Sequence, residues 1–222
     1  MDIQQKKALI AYLLPHTTEH KALLMEQALQ FRTRHVTVLL EDVFQQHNAS
    51  AAVRSIECFG LQDMHLVESR FKFAVNCGVA MGSSKWIDIH RHKTTQAAFE
   101  KLRAEGYRIV ATTPAKGSVE LAQLPLDGKL AIVFGTENVG LSEYALANAD
   151  EYVHIPMYGF TQSFNVSVSV ALCLYQITAT LRQSNINWAL SEDEKIDIML
   201  AWLRNNIRGS GEFEKMFHEL NG

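Results

Sequence analysis

Apolar residues fall along this chain in two rhythms. Between residues 36 and 155 they gather in short runs: Val36-Thr37-Val38-Leu39-Leu40, Met64-His65-Leu66-Val67, Trp86-Ile87-Asp88-Ile89, Arg108-Ile109-Val110-Ala111-Thr112, Leu130-Ala131-Ile132-Val133-Phe134 and Tyr152-Val153-His154-Ile155. Each is strand-length and rich in β-branched residues. Helical spacing separates several of them, over Ala49 to Phe59, Thr95 to Glu105 and Ser142 to Ala149, and Gly60, Gly106 and Gly128 sit where helices stop or the chain turns. Strands alternating with helices predict an α/β domain, a mainly parallel sheet with helices on both faces. The ends follow the other rhythm. Leu9, Leu13, Leu23, Leu24, Ala28 and Phe31 recur at helical spacing, with a break near Leu14-Pro15-His16-Thr17-Thr18. Ser191 before Glu192-Asp193-Glu194 predicts an N-cap with acids in the first turn, and Ile196, Met199, Leu200 and Leu203 an apolar face behind it. The stretch Val166 to Leu181 reads both ways: its alternation suggests a strand, its length and small residues a buried helix.

Composition adds bounds. The 222 residues fit one sizeable domain with appendages, and 47% apolar residues are enough for a core. No apolar run approaches a membrane span, and no apolar signal core follows Met1 to Lys7, so a cytoplasmic chain without membrane contact is expected. Cys58, Cys77 and Cys173 lie in apolar surroundings without paired spacing and read as reduced, buried thiols of a cytosolic protein. His47, His90, His92 and His154 have no ligand spacing with carboxylates or cysteines, so no metal is expected. The net charge of -3 argues against nucleic acid, but its distribution does not. From Arg70 to Arg108, eight Lys/Arg (Arg70, Lys72, Lys85, Arg91, Lys93, Lys101, Arg103, Arg108) stand against Asp88, Glu100 and Glu105. Such a band predicts a phosphate-binding face; a solvated surface is the plainer reading of the same residues.

Candidate chemistry concentrates in two strand–loop units, Ile132-Val133-Phe134-Gly135-Thr136-Glu137-Asn138-Val139-Gly140-Leu141-Ser142 and Ile155-Pro156-Met157-Tyr158-Gly159-Phe160-Thr161-Gln162-Ser163-Phe164-Asn165-Val166-Ser167. Ligands of open α/β sheets sit beyond the carboxyl ends of strands, where Thr112-Thr113-Pro114 also falls, and glycine lets backbone approach a ligand. Neither unit has dinucleotide or P-loop spacing, and no hydrolase elbow or kinase loop occurs. Upstream, Asn48 is a plausible N-cap, with Arg54 within two turns of it. Taken singly, Gly135 and Gly140 are ordinary turn residues, Glu137 a loop acid, Ser163 and Asn165 caps, and Arg54 a surface partner of Glu57 or Glu41.

Taken in order, Asn48-x5-Arg54, the Gly135 unit and the Ile155 unit through Val168 resemble the three motifs of the SpoU branch of SPOUT RNA methyltransferases, most of all the TrmH type, the tRNA guanosine-2'-O-methyltransferases. The match runs from about Val36 to Leu181, and Gly82-Ser83-Ser84-Lys85-Trp86 is similar as well. The resemblance implies a deep trefoil knot within about residues 130–182, which connection rules would otherwise exclude. It implies a methyltransferase domain over 36–182 between helical extensions at 1–35 and 183–222, a helix over Val166 to Leu181, and a homodimer with its active site near the subunit interface. It implies S-adenosylmethionine as cofactor, surrounded by the Gly135 loop and the Ile155–Asn165 segment. Thr112, Gly135, Glu137, Gly140, Ile155, Met157 and Phe164 then become cofactor contacts, largely through the main chain. Arg54 becomes the catalytic arginine, supported by Asn48, with Glu137, Ser163 and Asn165 at functional positions. RNA, expected to be tRNA, would be held by Arg32, Arg34, His47, Lys85, Arg91 and Lys93. Phe164 stands where relatives often have Leu, and a single Arg182 stands late in the third-motif helix where some relatives carry several arginines. A guanidinium is a poor base, since it stays protonated. Arg54 would therefore either be pushed to act as base by the site and an RNA phosphate or stay charged and stabilise the forming alkoxide. A ribosomal RNA target is the alternative within the fold; absence of a large N-terminal RNA-binding domain favours tRNA. A non-catalytic RNA-binding protein is the alternative outside enzymology.

Overall fold

The computed structural model describes residues 1–70, 72, 77–114, 117–136 and 139–221. In chain order the elements are α1 (Ile3–Leu13), α2 (Glu19–Leu29), β1 (Val36–Glu41), α3 (Gln46–Cys58), β2 (Asp63–Val67), α4 (Cys77–Ala80), β3 (Asp88–His92), α5 (Thr95–Ala104), β4 (Tyr107–Thr112), β5 (Val119–Glu120), β6 (Lys129–Phe134), α6 (Glu143–Asn148), β7 (Glu151–His154), α7 (Val166–Gln183), α8 (Glu192–Asn206) and α9 (Ser210–Asn221). They divide into two compact units, Thr33–Trp188 and a helical unit made of Met1–Arg32 with Ala189–Gly222.

The larger unit is α/β. Its sheet runs β3-β2-β1-β6-β4-β7-β5, and every pairing is parallel. Successive side chains on a strand point to opposite faces, and the central strands show it. Val38, Leu40, Leu130, Ile132 and Phe134 meet Ala52, Val53 and Ile56 of α3 and Val170, Leu174 and Ile177 of α7. Leu39, Ala131, Val133, Ile109 and Ala111 meet Phe99 and Leu102 of α5 and Ala145 of α6 on the other face. Strands covered on both faces read as continuous apolar runs, which is why β1, β4 and β6 stand out in the sequence.

Three boundaries depart from the apolar pattern. The third strand is Asp88–His92, not Trp86–Ile89: residues 83–85 wind into a 3₁₀ turn that Trp86 terminates, and Ile87 is buried ahead of the strand. β3 is an edge strand, so it tolerates the polar sequence Asp-Ile-His-Arg-His. β5 is only two residues long, too short for any period. Helix α3 starts at Gln46, so Asn48 lies inside its first turn and is not the N-cap. The ambiguous stretch is helix α7: Val166, Val170, Cys173, Leu174, Ile177 and Leu181 are buried at helical spacing, while Val168 and Leu172 are exposed. Cys58 is exposed, contrary to expectation, and Cys173 is buried; the Cys77 side chain lies outside the described residues.

The helical unit is locally encoded. Capping boxes start α1 (Asp2 with Gln5) and α8 (Ser191 with Glu194), satisfying helix N–H groups that have no intrahelical acceptor. Leu9, Leu13, Met25, Leu29, Trp202, Leu203 and Phe217 are among its buried apolar residues. No helix among the described residues is long and apolar enough to cross a membrane.

Candidate active site

A cavity of about 580 Å³ opens beyond the carboxyl ends of β4, β6 and β7. That size suits a small-molecule ligand. Three chain segments build most of its wall. Thr112 to Pro114 run from the end of β4, Gly135, Thr136 and Val139 to Leu141 follow β6, and His154, Ile155, Met157 and Gln162 to Val166 run from the end of β7 to the start of α7. Gln45 and Asn48 of the β1–α3 connection complete it.

The segment after β6 is closed on itself. Thr136 and Gly140 exchange backbone hydrogen bonds of 3.0 Å each way, and the Val139 N–H donates to Thr136 Oγ1 at 3.2 Å. A Cβ on Gly135 would lie 2.2 Å from the carbonyl carbon of Gly140, closer than atoms pack, and Gly140 itself has φ +76°. Both positions therefore require glycine, the first for space and the second for backbone conformation. Thr112 spends its hydroxyl on the Val133 carbonyl at 2.8 Å, and the Thr113 N–H donates to the Val153 carbonyl at 2.9 Å.

A relay of amides joins the first and third motifs. The Ser167 N–H and hydroxyl donate to Asn165 Oδ1 at 2.9 and 2.6 Å, Asn165 Nδ2 donates to Asn48 Oδ1 at 3.1 Å, and Asn48 Nδ2 donates to Gln45 Oε1 at 3.1 Å. Asn48 and Asn165 are 117 residues apart in sequence. Because α3 begins earlier than its sequence suggests, the Asn48 amide is turned to this relay instead of capping its own helix. Asn48 is 4% exposed, so its amide needs these partners.

Of the residues singled out in the sequence, Asn48, Thr112, Gly135, Gly140, Ile155, Met157, Ser163, Phe164 and Asn165 all line this cavity. Glu137 lies outside the described residues. Arg54 does not line the cavity: it is exposed on α3, on the helix strip that also carries His47 and Cys58. It makes no ion pair with Glu57, Glu41 or any other described residue. Sequence reasoning missed Gln45, Thr136, His154 and Gln162, whose only signal was proximity to the motifs.

The basic residues fare differently. Arg32 is 2% exposed with its guanidinium over the Trp202 ring, and Arg34 pairs with Asp63 at 2.7 Å and Asp88 at 2.9 Å. Neither presents its charge outward as an RNA contact would. Within the band, Arg70 pairs with Asp42, Arg91 with Glu68, Lys101 with Glu105, Arg103 with Asp150 and Arg108 with Glu151. Lys85, Lys93 and His47 are exposed.

Beneath the β2–β3 edge lies a second polar cluster. His65 Nδ1 meets His92 Nε2 at 3.0 Å, His90 Nε2 meets Asp63 Oδ1 at 2.8 Å, and the His65 ring stacks between those of His90 and His92. Burial pushes the His65 imidazole down to about 3, and the neighbouring charges of His90 and His92 add to that. The hydrogen bond to Asp63 raises His90. Asp63, although burial alone would raise it, is held low by His90 and Arg34. Among the described residues no group of three or more His, Cys, Asp or Glu is placed to hold a metal ion.

Comparison with known proteins adds independent findings. The model of the SpoU rRNA Methylase family matches residues 35–175. The tRNA (guanosine(18)-2'-O)-methyltransferase of Borreliella burgdorferi is 41% identical over 209 residues, 94% of this chain and 96% of the relative. The Escherichia coli K12 enzyme of the same name is 32% identical over 170 residues, 77% of this chain and 73% of its own. The crystal structure of an A. aeolicus TrmH/SpoU tRNA modifying enzyme superposes with a TM-score of 0.78 at 28% identity, covering 86% of this chain and 98% of that one.

Proposed function

The chain belongs to the SpoU methylase family, and on that premise we propose that it methylates the ribose 2'-oxygen of a guanosine in a tRNA loop, guanosine 18 as in its named relatives. It is an RNA 2'-O-methyltransferase whose methyl donor is S-adenosylmethionine. The observation that carries this reading is the convergence of all three motifs on one cavity, tied by the bond between Asn48 and Asn165. The cavity fits the cofactor in size, and its Gly135–Gly140 turn offers main-chain groups at a place where a Cβ would not fit. The bound cofactor supplies a sulfonium methyl that is already activated.

The chain's own work is then alignment and charge. Gly135, Gly140, Ile155, Met157 and Phe164, with Thr112 through its main chain, hold the donor, and Glu137 keeps the functional role that its motif implies. Ser163 and Asn165 orient the ribose at the cavity mouth. Arg54 stays charged, faces the RNA, and stabilises the forming alkoxide, whose proton passes to water, together with an adjacent phosphate. His47, Lys85 and Lys93 hold RNA backbone; Arg32, Arg34 and Arg91 are withdrawn from that role by their burial or pairing.

Residues 36–182 form the methyl-transfer domain, with the knot in about 130–182. Two observations support the knot. β6 inserts between β1 and β4, and β7 lies beyond β4, yet Asn165 returns to Asn48 on the β1 side. A homodimer is supported by Val168, Leu172 and Tyr175, exposed at helical spacing along α7. The protein works in the cytoplasm, where tRNA is found.

The test uses labelled S-adenosylmethionine with unmodified tRNA and with ribosomal RNA. One 2'-O-methyl per tRNA at guanosine 18 is expected. Label confined to ribosomal RNA, or none in either, overturns the proposal.

A further inference from the structure

The geometry points to Glu41 as a positioning residue of the cofactor loop, an inference that rests on the cofactor reading of the cavity. Glu41 ends β1 and is 3% exposed. Its carboxylate accepts the Ser142 N–H at 2.8 Å, the Ser142 hydroxyl at 2.7 Å and the Thr95 hydroxyl. No cation accounts for its burial among these contacts; three donors do. A buried carboxylate is costly unless hydrogen bonds satisfy it, so these contacts constrain their donors strongly.

What they constrain matters. Ser142 caps α6 and directly follows Leu141 and Gly140, which line the cavity. The segment that leaves β6 is fixed at its start by the contact of Gly135 with Gly140. At its far end it is fixed by Glu41, which reaches it from another strand, 101 residues away in sequence. Glu41 itself does not line the cavity. It acts on the ligand only through Ser142. Thr95, at the start of α5, donates its hydroxyl to the same carboxylate.

The role requires shape and acceptors, not charge. A glutamine at this position can accept from the Ser142 N–H with its oxygen and donate to the hydroxyls of Ser142 and Thr95, which rotate to accept. An alanine leaves the Ser142 N–H without its buried acceptor.

Cofactor binding by isothermal titration of the full chain, with melting temperature and RNA KM measured alongside, separates the outcomes. Glu41→Ala should raise the S-adenosylmethionine Kd about ten-fold, Glu41→Gln should stay within about three-fold of wild type, and Thr95→Val should raise it about two- to three-fold. RNA KM at saturating cofactor should stay unchanged. An unaltered Kd in Glu41→Ala, with only a lower melting temperature, reduces Glu41 to a structural residue and overturns the inference. If Glu41→Ala does not fold, an unaltered Kd in Thr95→Val overturns it. If wild type itself does not bind S-adenosylmethionine, the cofactor reading fails first and separately.

Discussion

The cavity beyond β4, β6 and β7 and the edge formed by β2 and β3 are both dense in polar side chains, but they dispose of them in opposite ways. At the β2–β3 edge, Asp63, His65, Asp88, His90, His92 and Arg34 hydrogen-bond to one another. At the cavity, Thr112, Asn48 and Asn165 each brace a loop, while Thr136, His154, Gln162 and Ser163 line the wall beside the glycines. Polar density in a sequence therefore marks internal satisfaction as readily as function. The discriminating feature is a cavity whose polar side chains are braced from behind.

Substitutions can break that contrast, and the largest effect belongs to Arg54, which stands outside the cavity wall. Arg54→Ala should lower kcat by about a thousand-fold or more while S-adenosylmethionine Kd is unchanged, as single-turnover methyl transfer and titration would show. Activity near wild type removes Arg54 from the chemistry. Gly135→Ala forces a Cβ against Gly140 and should weaken cofactor binding about a hundred-fold, with tRNA affinity measured by filter binding little changed.

The β2–β3 edge should respond to pH instead. His65 has a folded pKa of about 3 against an ordinary value of 6.5, so the folded state binds fewer protons than the unfolded one. Its cost is absent above pH 6.5 and grows as pH falls toward 3. His90 has the opposite sign: its contribution is present below 6.5 and is lost as pH rises through its raised folded value. Asp63, Asp88, Glu105, Lys101 and His92 share that field, and Asp63, whose pKa is lowered, loses its contribution only in stronger acid. His65 alone should cost about 2 kcal/mol between neutrality and roughly pH 5, with His90 acting against it. Urea unfolding of His65→Gln should show most of that loss gone, with cofactor Kd at neutral pH unmoved. The smallest effect concerns exposed charge. Lys85→Ala and Lys93→Ala should each lower the slope of log Kd for tRNA against log salt by about one, whereas Arg91→Ala, already paired with Glu68, should barely change it.

The limits of legibility follow the same contrast. β1, β4 and β6 were readable because strands buried on both faces are apolar throughout, and α8 because its capping box is local. The basic band is more neutralised than its sequence suggests because its partners are remote: Glu68 is 23 residues from Arg91, Glu151 is 43 from Arg108 and Asp150 is 47 from Arg103. Local charge counting cannot see pairings that the sheet creates. The glycines of the cofactor loop were visible as glycines, but not that one abuts the other. Motif order supplied the functional reading, since each residue alone had an ordinary explanation. Cys58 shows the converse error: apolar neighbours in sequence occupy other faces of α3 and leave it exposed.

The relay from Ser167 to Gln45 has a direction as well as a shape. A main-chain N–H only donates, so the atom of Asn165 that meets Ser167 must be oxygen, and its other end must be nitrogen. That nitrogen obliges Asn48 to offer oxygen, and the nitrogen left on Asn48 obliges Gln45 to do the same. Each amide is thereby oriented by its predecessor, and the first is oriented by the backbone of α7. Asp in place of Asn165 would present oxygen to oxygen at Asn48. Restoring the chain would mean turning Asn48 and then Gln45, so that one altered atom at the start of α7 would reverse the amide of a residue that lines the cavity.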